Sequence, residues 1–292
     1  MTDKTDAKPD FQQINKRSTD HEDARTYRAA GEDLRVSDEY PMTSSRRGRF
    51  IIINNVNFLG RTGMNTREGS DRDAISLKMR FKALDFDVVV YKDQSTAQME
   101  KIFGDAAANV DYNRRADCFG CALLSHGDHG IIYGIDGFIE IEKLTEPFNG
   151  DKCKELAGKP KIFLIQACRG TKFDSGVEIA DSEAVNPGAD DIFKNRTFKI
   201  PALADFVFAY STVPGYFSWR NSREGSWFVQ AITTVFEKYC DEKDLLWMLT
   251  RVNYEVAYKF ESKTNQESMR QKKQIPCITS MLTKDLYFRR KY

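Results

Sequence analysis

Five short runs rich in Val, Ile and Phe recur along the chain, and each is closed by turn residues. They cover residues 50–58, 86–93, 117–127, 161–168 and 205–215. Continuous apolar runs of this length are typical of strands that are covered on both faces, as in parallel sheets. The chain is therefore expected to build a sheet with both of its faces packed against other elements.

Apolar residues between and after these runs recur at intervals of three and four, which is the spacing of one helix face. The periodic sets are Ala74, Leu77, Phe81 and Leu84; Phe228, Ile232, Val235 and Tyr239; and Leu245, Leu249, Val252 and Val256. Alternation of strands with helices favours an α/β fold with an open, mostly parallel sheet and helices on both faces. In such folds the functional site lies beyond the carboxyl ends of the strands.

Composition and charge exclude several classes of protein. The formal net charge of +1 over 292 residues gives no sign of a nucleic-acid or membrane partner. No apolar stretch reaches the roughly 18 residues of a membrane span, and the polar start MTDKTDAKPDFQQ lacks the features of a secretory signal. The six cysteines therefore fit reduced thiols, and cytoplasmic or nuclear residence is expected.

The composition changes at two places along the chain. Residues 1–48 carry few large apolar side chains, which predicts a disordered leader. Residues 171–199 are rich in Asp, Gly and Asn and lack periodicity, which predicts a long loop inside the folded part. Loops of this length in a compact domain are usually functional or disordered.

Two of the predicted strands end in groups suited to thiol chemistry. SHG at residues 125–127 follows one strand, and QACRG at 166–170 follows another. If the strands are parallel neighbours, His126 and Cys168 lie at one edge of the sheet, where the imidazole can raise the thiolate fraction or take the thiol proton. Gly127 has no side chain, so its N–H and that of Cys168 can stabilise an oxyanion.

The other histidines and a cysteine pair offer competing interpretations. A cysteine at a strand end is often only a small buried hydrophobe. His21 lies in the leader and His129 in a predicted turn, so both are expected to be solvated. Cys118 and Cys121 suggest a redox or zinc pair, but residues three apart on a strand point to opposite faces and no second ligand pair follows. No metal site is expected.

These motifs carry a family resemblance. IIINN, TGM, SHG, QACRG, YSTVPGYFSWRNS, GSWF, KKQIPC and SMLTK follow one another in the order of the caspases, and the chain resembles that family over residues 50–292. The resemblance implies a three-layer fold around a six-stranded, mostly parallel sheet. It also implies an aspartate-specific cysteine endopeptidase of apoptosis, made as a zymogen and needing no cofactor, with Cys168 as nucleophile, His126 as base and Gly127 as oxyanion donor.

A pocket that selects aspartate must desolvate a carboxylate, and paired arginines offer the fixed, bidentate donors that this requires. The family pattern assigns this role to Arg67, Arg220 and Gln166. It assigns the neighbouring apolar subsite to Phe217 and Trp219, with Met269 where several relatives have a second aromatic wall. Asn221 and Trp227 are expected to help receive an acidic residue four positions before the cut.

The resemblance also implies proteolytic processing. It divides the chain into a prodomain (1–48), a large subunit (49–181), a linker remainder (182–199) and a small subunit (200–292), with 49–292 as one caspase domain. Asp181 is the best internal cleavage site, because Glu178 lies three positions earlier and the small Ser182 follows. In the leader Asp23 is preferred, with Asp33 and Asp38 left open. The short leader is similar to that of executioner types.

The apolar segment CITSML at 277–282 predicts an edge strand that another chain covers. The resemblance implies a homodimer of large and small subunit pairs, with an upstream initiator protease and inhibitor-of-apoptosis proteins as further partners. Two alternatives stay open. One is a catalytically impaired homologue that acts as a regulator or scaffold. The other is a relative that cuts after Arg or Lys, which needs an acidic pocket in place of Arg67 and Arg220.

Overall fold

A computed structural model of the protein describes residues 37–176, 201–263 and 267–290. A six-stranded sheet lies at its centre, in the strand order β11-β8-β7-β3-β1-β2. Five strands run parallel and β11 pairs antiparallel with β8. Its strands are β1 (Arg49–Asn54), β2 (Asp87–Lys92), β3 (Phe119–Leu124), β7 (Lys161–Gln166), β8 (Phe206–Tyr210) and β11 (Cys277–Ser280). The predicted α/β fold is confirmed.

Helices cover both faces of this sheet, as the apolar runs predicted. The α-helices of the described residues are α1 (Ser70–Ala83), α2 (Thr96–Ala108), α3 (Val110–Arg114), α4 (Ile141–Thr145), α5 (Trp227–Tyr239) and α6 (Leu245–Lys259). Alternate residues of β1 enter different cores: Phe50 and Ile52 pack with α1, α5 and α6, whereas Ile51 and Ile53 pack with α2 and α4. This alternation produces a three-layer architecture.

Two small sheets lie beside the central one. One is antiparallel and joins β4 (Gly127–Asp128), β5 (Ile131–Gly134) and β6 (Gly137–Glu140). The other pairs β9 (Arg220–Asn221) with β10 (Gly225–Ser226). Ser226 then begins α5, because its hydroxyl accepts a hydrogen bond from the N–H of Val229 at 3.3 Å and so caps the helix.

The end of the predicted disordered leader needs correction. Within residues 37–48 Tyr40 is buried, and its hydroxyl donates to Asp205 at 2.7 Å. Thr283 also donates to this carboxylate at 2.7 Å, and burial raises the pKa of Tyr40 to about 12. The segment is ordered because one aromatic side chain and a buried polar network fix it to the sheet. Residues 1–36 lie outside the described part of the chain, as do residues 177–200 of the predicted loop.

The expectations of no membrane segment and no metal site can be compared with the described residues. None of their helices is long and apolar enough to cross a membrane. They contain no group of three His, Cys, Asp or Glu side chains placed to hold a metal. Cys118 and Cys121 enter opposite cores, which is the geometry expected of residues three apart on a strand.

Candidate active site

The register of two neighbouring strands positions the central pair of side chains. β3 and β7 are parallel, and their last residues, Leu124 and Gln166, are paired. His126 and Cys168 each lie two residues beyond this pair, at the same edge of the sheet. Both line a cavity of about 250 Å³. The sequence placed these two groups at this edge, and the structure brings them to one cavity.

The imidazole of His126 is held by a backbone carbonyl. Its Nε2 lies 2.7 Å from the carbonyl oxygen of Asn65, and the ring of Phe58 lies 4.9 Å away, centroid to centroid. Because a carbonyl can only accept, this contact assigns the proton to Nε2 and leaves Nδ1 as the basic nitrogen. Burial lowers the pKa of His126, although the bond to Asn65 opposes that shift. The ring is therefore neutral at pH 7.

The thiol of Cys168 is half-buried beside the backbone of Ser218. The N–H of Ser218 lies 3.5 Å from the sulfur atom. Burial raises the pKa of Cys168, whereas that N–H and the charges of Arg67 and Arg220 act in the opposite direction. A raised thiol pKa beside a lowered imidazole pKa favours a neutral pair over a preformed thiolate–imidazolium pair. The arrangement thus suits proton transfer during attack.

Gly127 lies in close contact with the segment that carries Cys168. A Cβ atom at this position would lie 2.9 Å from the Cβ of Ala167, 2.9 Å from the carbonyl oxygen of Ile131 and 3.2 Å from that of Cys168. Two of these separations are below 3.0 Å, a distance that Cβ atoms essentially never show, so a side chain here would force its surroundings to shift. A glycine therefore fits this close approach of residue 127 to Ala167 and Cys168.

Arg67 is buried in the same cavity, and its guanidinium is only partly satisfied. Its Nη1 donates to the carbonyl oxygen of Asn55 at 3.1 Å and to the hydroxyl of Ser70 at 2.6 Å. The side chain is 1% exposed, and Nε and Nη2 have no hydrogen-bond partner among the described residues. Two buried donors without partners are costly unless an anion receives them.

Gln166 and Arg220 complete this polar wall. The amide nitrogen of Gln166 donates to the Ser218 hydroxyl at 2.8 Å, and its oxygen has no partner among the described residues. Arg220 is held by a bond of 2.8 Å from Nε to the carbonyl of Glu68. Both side chains line the cavity of His126 and Cys168, so the three polar residues predicted for aspartate selection lie together.

Charge at this wall is unbalanced in favour of an anion. Burial and the neighbouring Arg220 lower the pKa of Arg67 to about 9. Asp73 on α1 offsets part of this repulsion, but burial raises its own pKa to about 6. Its Oδ1 accepts from the N–H of Ser226 at 2.8 Å, and its charge raises the pKa of both arginines. A bound carboxylate would stabilise both cations.

The remaining predicted residues divide between two cavities. Phe217, Trp219 and Met269 line the cavity of Cys168. Asn221 and Trp227 line a second cavity of about 600 Å³, which has Trp219 and Arg220 in common with the first. The rings of Trp219, which lines both cavities, and Trp227, which lines the second, stack at 5.7 Å between centroids. The predicted cleavage sites Asp181 and Asp23 lie outside the described residues.

Four residues of the site were not identified from the sequence. Asn65 acts through its carbonyl, and Ser218 acts through its N–H and its hydroxyl; a backbone atom or a single serine has no distinctive signature in a sequence. Phe173 stacks on Phe217 at 4.6 Å between ring centroids, yet it lies within residues 171–199, whose composition predicts a loop. Asp73 lies in the first turn of α1, where an acidic residue is common and so indicates no site. Its role depends on packing against β10, which is distant in sequence.

Comparisons with known proteins agree on one family. The Caspase domain model matches residues 47–287. Caspase-7 of Gallus gallus is 45% identical over 293 residues, which cover 98% of this chain and 94% of that protein. Caspase-3 of Mus musculus is 45% identical over 253 residues, or 87% and 88% of the two chains. The crystal structure of caspase-1 from Spodoptera frugiperda matches with a TM-score of 0.80 at 38% identity, covering 88% of this chain and 95% of that one.

Proposed function

This chain belongs to the caspase family and is an aspartate-specific cysteine endopeptidase, and we propose that it acts as an executioner of apoptosis with Cys168 as nucleophile and His126 as base. The observation that carries the assignment is the cavity that holds this pair together with Arg67, Gln166 and Arg220. The nucleophile and a receptor for a carboxylate thus lie within one small space.

The geometry supports a general-base mechanism. The sulfur of Cys168 attacks the backbone carbonyl carbon of the substrate aspartate, and the thiol proton passes to Nδ1 of His126. The N–H groups of Gly127 and Cys168 donate to the oxyanion, and His126 then gives its proton to the leaving amine. Water hydrolyses the resulting thioester with His126 again as base. The carbonyl of Asn65 keeps Nδ1 as the basic nitrogen throughout.

Aspartate specificity is assigned to the two unpaired nitrogens of Arg67, with Arg220 and Gln166 beside them. The bonds from Nη1 to Asn55 and Ser70 fix the guanidinium of Arg67. Its Nε and Nη2 are therefore held as a pair of donors that matches the two oxygens of a carboxylate. The apolar subsite next to it consists of Phe217, Trp219 and Met269. Asn221 and Trp227 line the second cavity, where an acidic residue four positions before the cut is expected to bind.

Activation is proposed to follow cleavage after Asp181 and within the leader. The cut after Asp181 separates a large subunit (49–181) from a fragment that holds the linker remainder (182–199) and the small subunit (200–292), and 49–292 form one caspase domain. Asp23 remains the preferred leader site. The bond after Asp38 is a poor substrate, because the backbone on both sides of it is paired with Asp285. The carbonyl oxygen of Asp38 accepts from the N–H of Asp285 at 2.6 Å, and the N–H of Tyr40 donates to the carbonyl oxygen of Asp285 at 3.0 Å. Paired backbone cannot enter a protease cleft without local unfolding.

A homodimer is proposed to form at the exposed edge of the central sheet. β11 is the terminal strand, its other edge is not paired within the described residues, and an uncovered strand of this composition is a pairing hazard. Cytoplasmic or nuclear proteins with an accessible aspartate are the proposed substrates. An upstream initiator protease and inhibitor-of-apoptosis proteins are the proposed regulatory partners.

The test uses Cys168→Ala and three fluorogenic peptides that end in Asp, Arg or an uncharged residue. The wild-type protein is expected to cleave only the Asp peptide, and Cys168→Ala is expected to cleave none while keeping its melting temperature. Cys240→Ala is the matched control, because this cysteine caps the far end of α5. Cleavage of the Arg peptide would favour the other specificity class. A folded wild-type protein with no turnover would favour the impaired regulator.

A further inference from the structure

Helix α6 carries a stripe of aromatic and cationic side chains outside its fully buried face, although Trp247 at one end of the stripe also packs against the core. The helix buries Leu245, Met248, Leu249, Val252 and Val256. Its stripe consists of Trp247, Arg251, Tyr254 and Tyr258, spaced four, three and four residues apart, so all four lie on one face. Tyr254 is 43% exposed and Tyr258 is 58% exposed. The tyrosine end of the stripe is therefore available to a partner, while Trp247 and Arg251 are half-buried.

Contacts between these side chains form a continuous surface. The guanidinium carbon of Arg251 lies 5.3 Å from the ring centroid of Trp247 and 5.0 Å from that of Tyr254. The rings of Tyr254 and Tyr258 stack at 4.8 Å. Pre-stacked rings lose little conformational entropy on binding, and Trp, Tyr and Arg dominate the energetic centres of protein interfaces.

The stripe leads into the substrate cleft. Tyr258 lines the second cavity, which Trp219 and Arg220 connect to the cavity of Cys168. The substrate residues before the cut aspartate occupy this side of the cleft in the proposed mechanism. From Trp247 to Tyr258 the helix rises about 16 Å, which an extended chain covers in roughly five residues. The stripe is therefore long enough to contact substrate residues that lie upstream of the four residues before the cut.

Charge around the second cavity identifies the kind of segment that fits. Four cationic residues line it against two acidic ones, Glu224 and Glu261. Lys273 already donates to the carbonyl of Phe260 at 2.7 Å, and Lys259 pairs with Glu255. Lys263 is exposed and forms no ion pair within the described residues. A carboxylate is the ligand that this rim favours, while the tyrosines favour an aliphatic side chain.

We propose that the α6 stripe, together with Lys263 at the edge of the second cavity, forms a docking site for a segment of the substrate. This segment begins five residues before the cut and is rich in acidic and aliphatic residues. The proposal rests on the proposed protease function and deepens it. It predicts that affinity for protein substrates depends on residues that a four-residue peptide lacks.

The experiment compares two peptides that contain the same cleavable Asp-Glu-Val-Asp. One is preceded by Glu-Leu-Glu-Leu-Glu-Leu and the other by Gly-Ser-Gly-Ser-Gly-Ser. We expect wild-type kcat/KM to be about tenfold higher for the acidic peptide, the size of one well-placed interface side chain. Tyr254→Ser and Lys263→Glu should each reduce this ratio to threefold or less. Met79→Ser, which removes an exposed apolar side chain from α1, should leave the ratio unchanged.

Four further outcomes decide the proposal. Tyr254→Ser should cleave the bare four-residue peptide at the wild-type rate, and an equal loss on that peptide would show a structural role and overturn the proposal. A ratio near one in the wild type would also overturn it, as would a Tyr254→Ser protein that changes its oligomeric mass, because the stripe would then cover a second copy. If no Asp peptide is cut, the protease proposal fails, while anisotropy of the labelled acidic peptide on Cys168→Ala still reports docking.

Discussion

Replacement of Arg67 by Lys tests how the protein recognises aspartate. Nη1 of Arg67 donates to the carbonyl oxygen of Asn55 and to the hydroxyl of Ser70, whereas Nε and Nη2 have no partner among the described residues. Lysine has a single nitrogen with three protons. If two of these replace the bonds to Asn55 and Ser70, one remains for the substrate where arginine offers two.

The expected loss follows from this count of donors. One charge-assisted hydrogen bond contributes about 1.5–3 kcal/mol, which corresponds to a decrease of about 10- to 150-fold in kcat/KM. The charge of the pocket is unchanged, so a purely electrostatic pocket would tolerate the substitution. The planar arrangement of two N–H donors is lost, so a pocket that depends on this geometry would not tolerate the substitution.

The assay measures kcat/KM for a fluorogenic Asp peptide alongside the melting temperature. Arg61→Lys is the matched control, because Arg61 is an exposed arginine that donates from Nε to the carbonyl of Asp136 at 3.2 Å. We expect Arg61→Lys to retain wild-type activity. A change of less than threefold in Arg67→Lys, in a protein that keeps its melting temperature, would refute the planar pair of donors as the basis of specificity.

Three other predictions use the same activity assay or intact mass. Gly127→Ala should reduce kcat/KM by at least tenfold, since its Cβ would lie 2.9 Å from both Ala167 and Ile131 and force the two strand exits apart; wild-type activity would contradict this. His126 must be neutral to accept a proton, and burial lowers its pKa below 6.5, so activity should persist below pH 6.5 and fall only as the pH passes the lowered pKa; a midpoint above 6.5 in the profile of kcat/KM would argue against it. Active enzyme should contain fragments that end at Asp181 and begin at Ser182, and a fully active, uncut Asp181→Ala protein would exclude processing as the activating step.

The fold could be predicted from sequence because its central strands, β1, β3 and β7, are buried on both faces. All five apolar runs contain strands of the central sheet, and the three periodic segments contain α1, α5 and α6. Helix α2 was missed because its buried face includes two alanines beside Met99 and Phe103, which weakens the periodic pattern. A signal was nevertheless present, since Ser95 and Gln98 form a capping box at its start.

The site could be predicted in part, and the limit is physical. Cys168 and His126 follow strands whose register is set by burial, so their meeting follows from topology. The contacts that tune them come from the backbone of Asn65 and of Ser218, and any residue type supplies the same carbonyl or N–H. The α6 stripe was also missed, because aromatic residues on a helix are most often part of the core.

The two halves of the site are joined by backbone contacts that do not depend on an intact chain. Cys168 precedes residues 177–200 and Phe217–Arg220 follow them. Gly170 and Gly215 both have positive φ angles and approach so closely that a Cβ on Gly170 would overlap the backbone of Gly215. Next to this crossing, Arg169 donates to the carbonyl of Tyr216 at 3.0 Å, and Phe217 donates to that of Lys172 at 2.9 Å. A cut after Asp181 would leave every one of these bonds in place, so proteolysis can free the intervening chain without separating the nucleophile from the aspartate pocket.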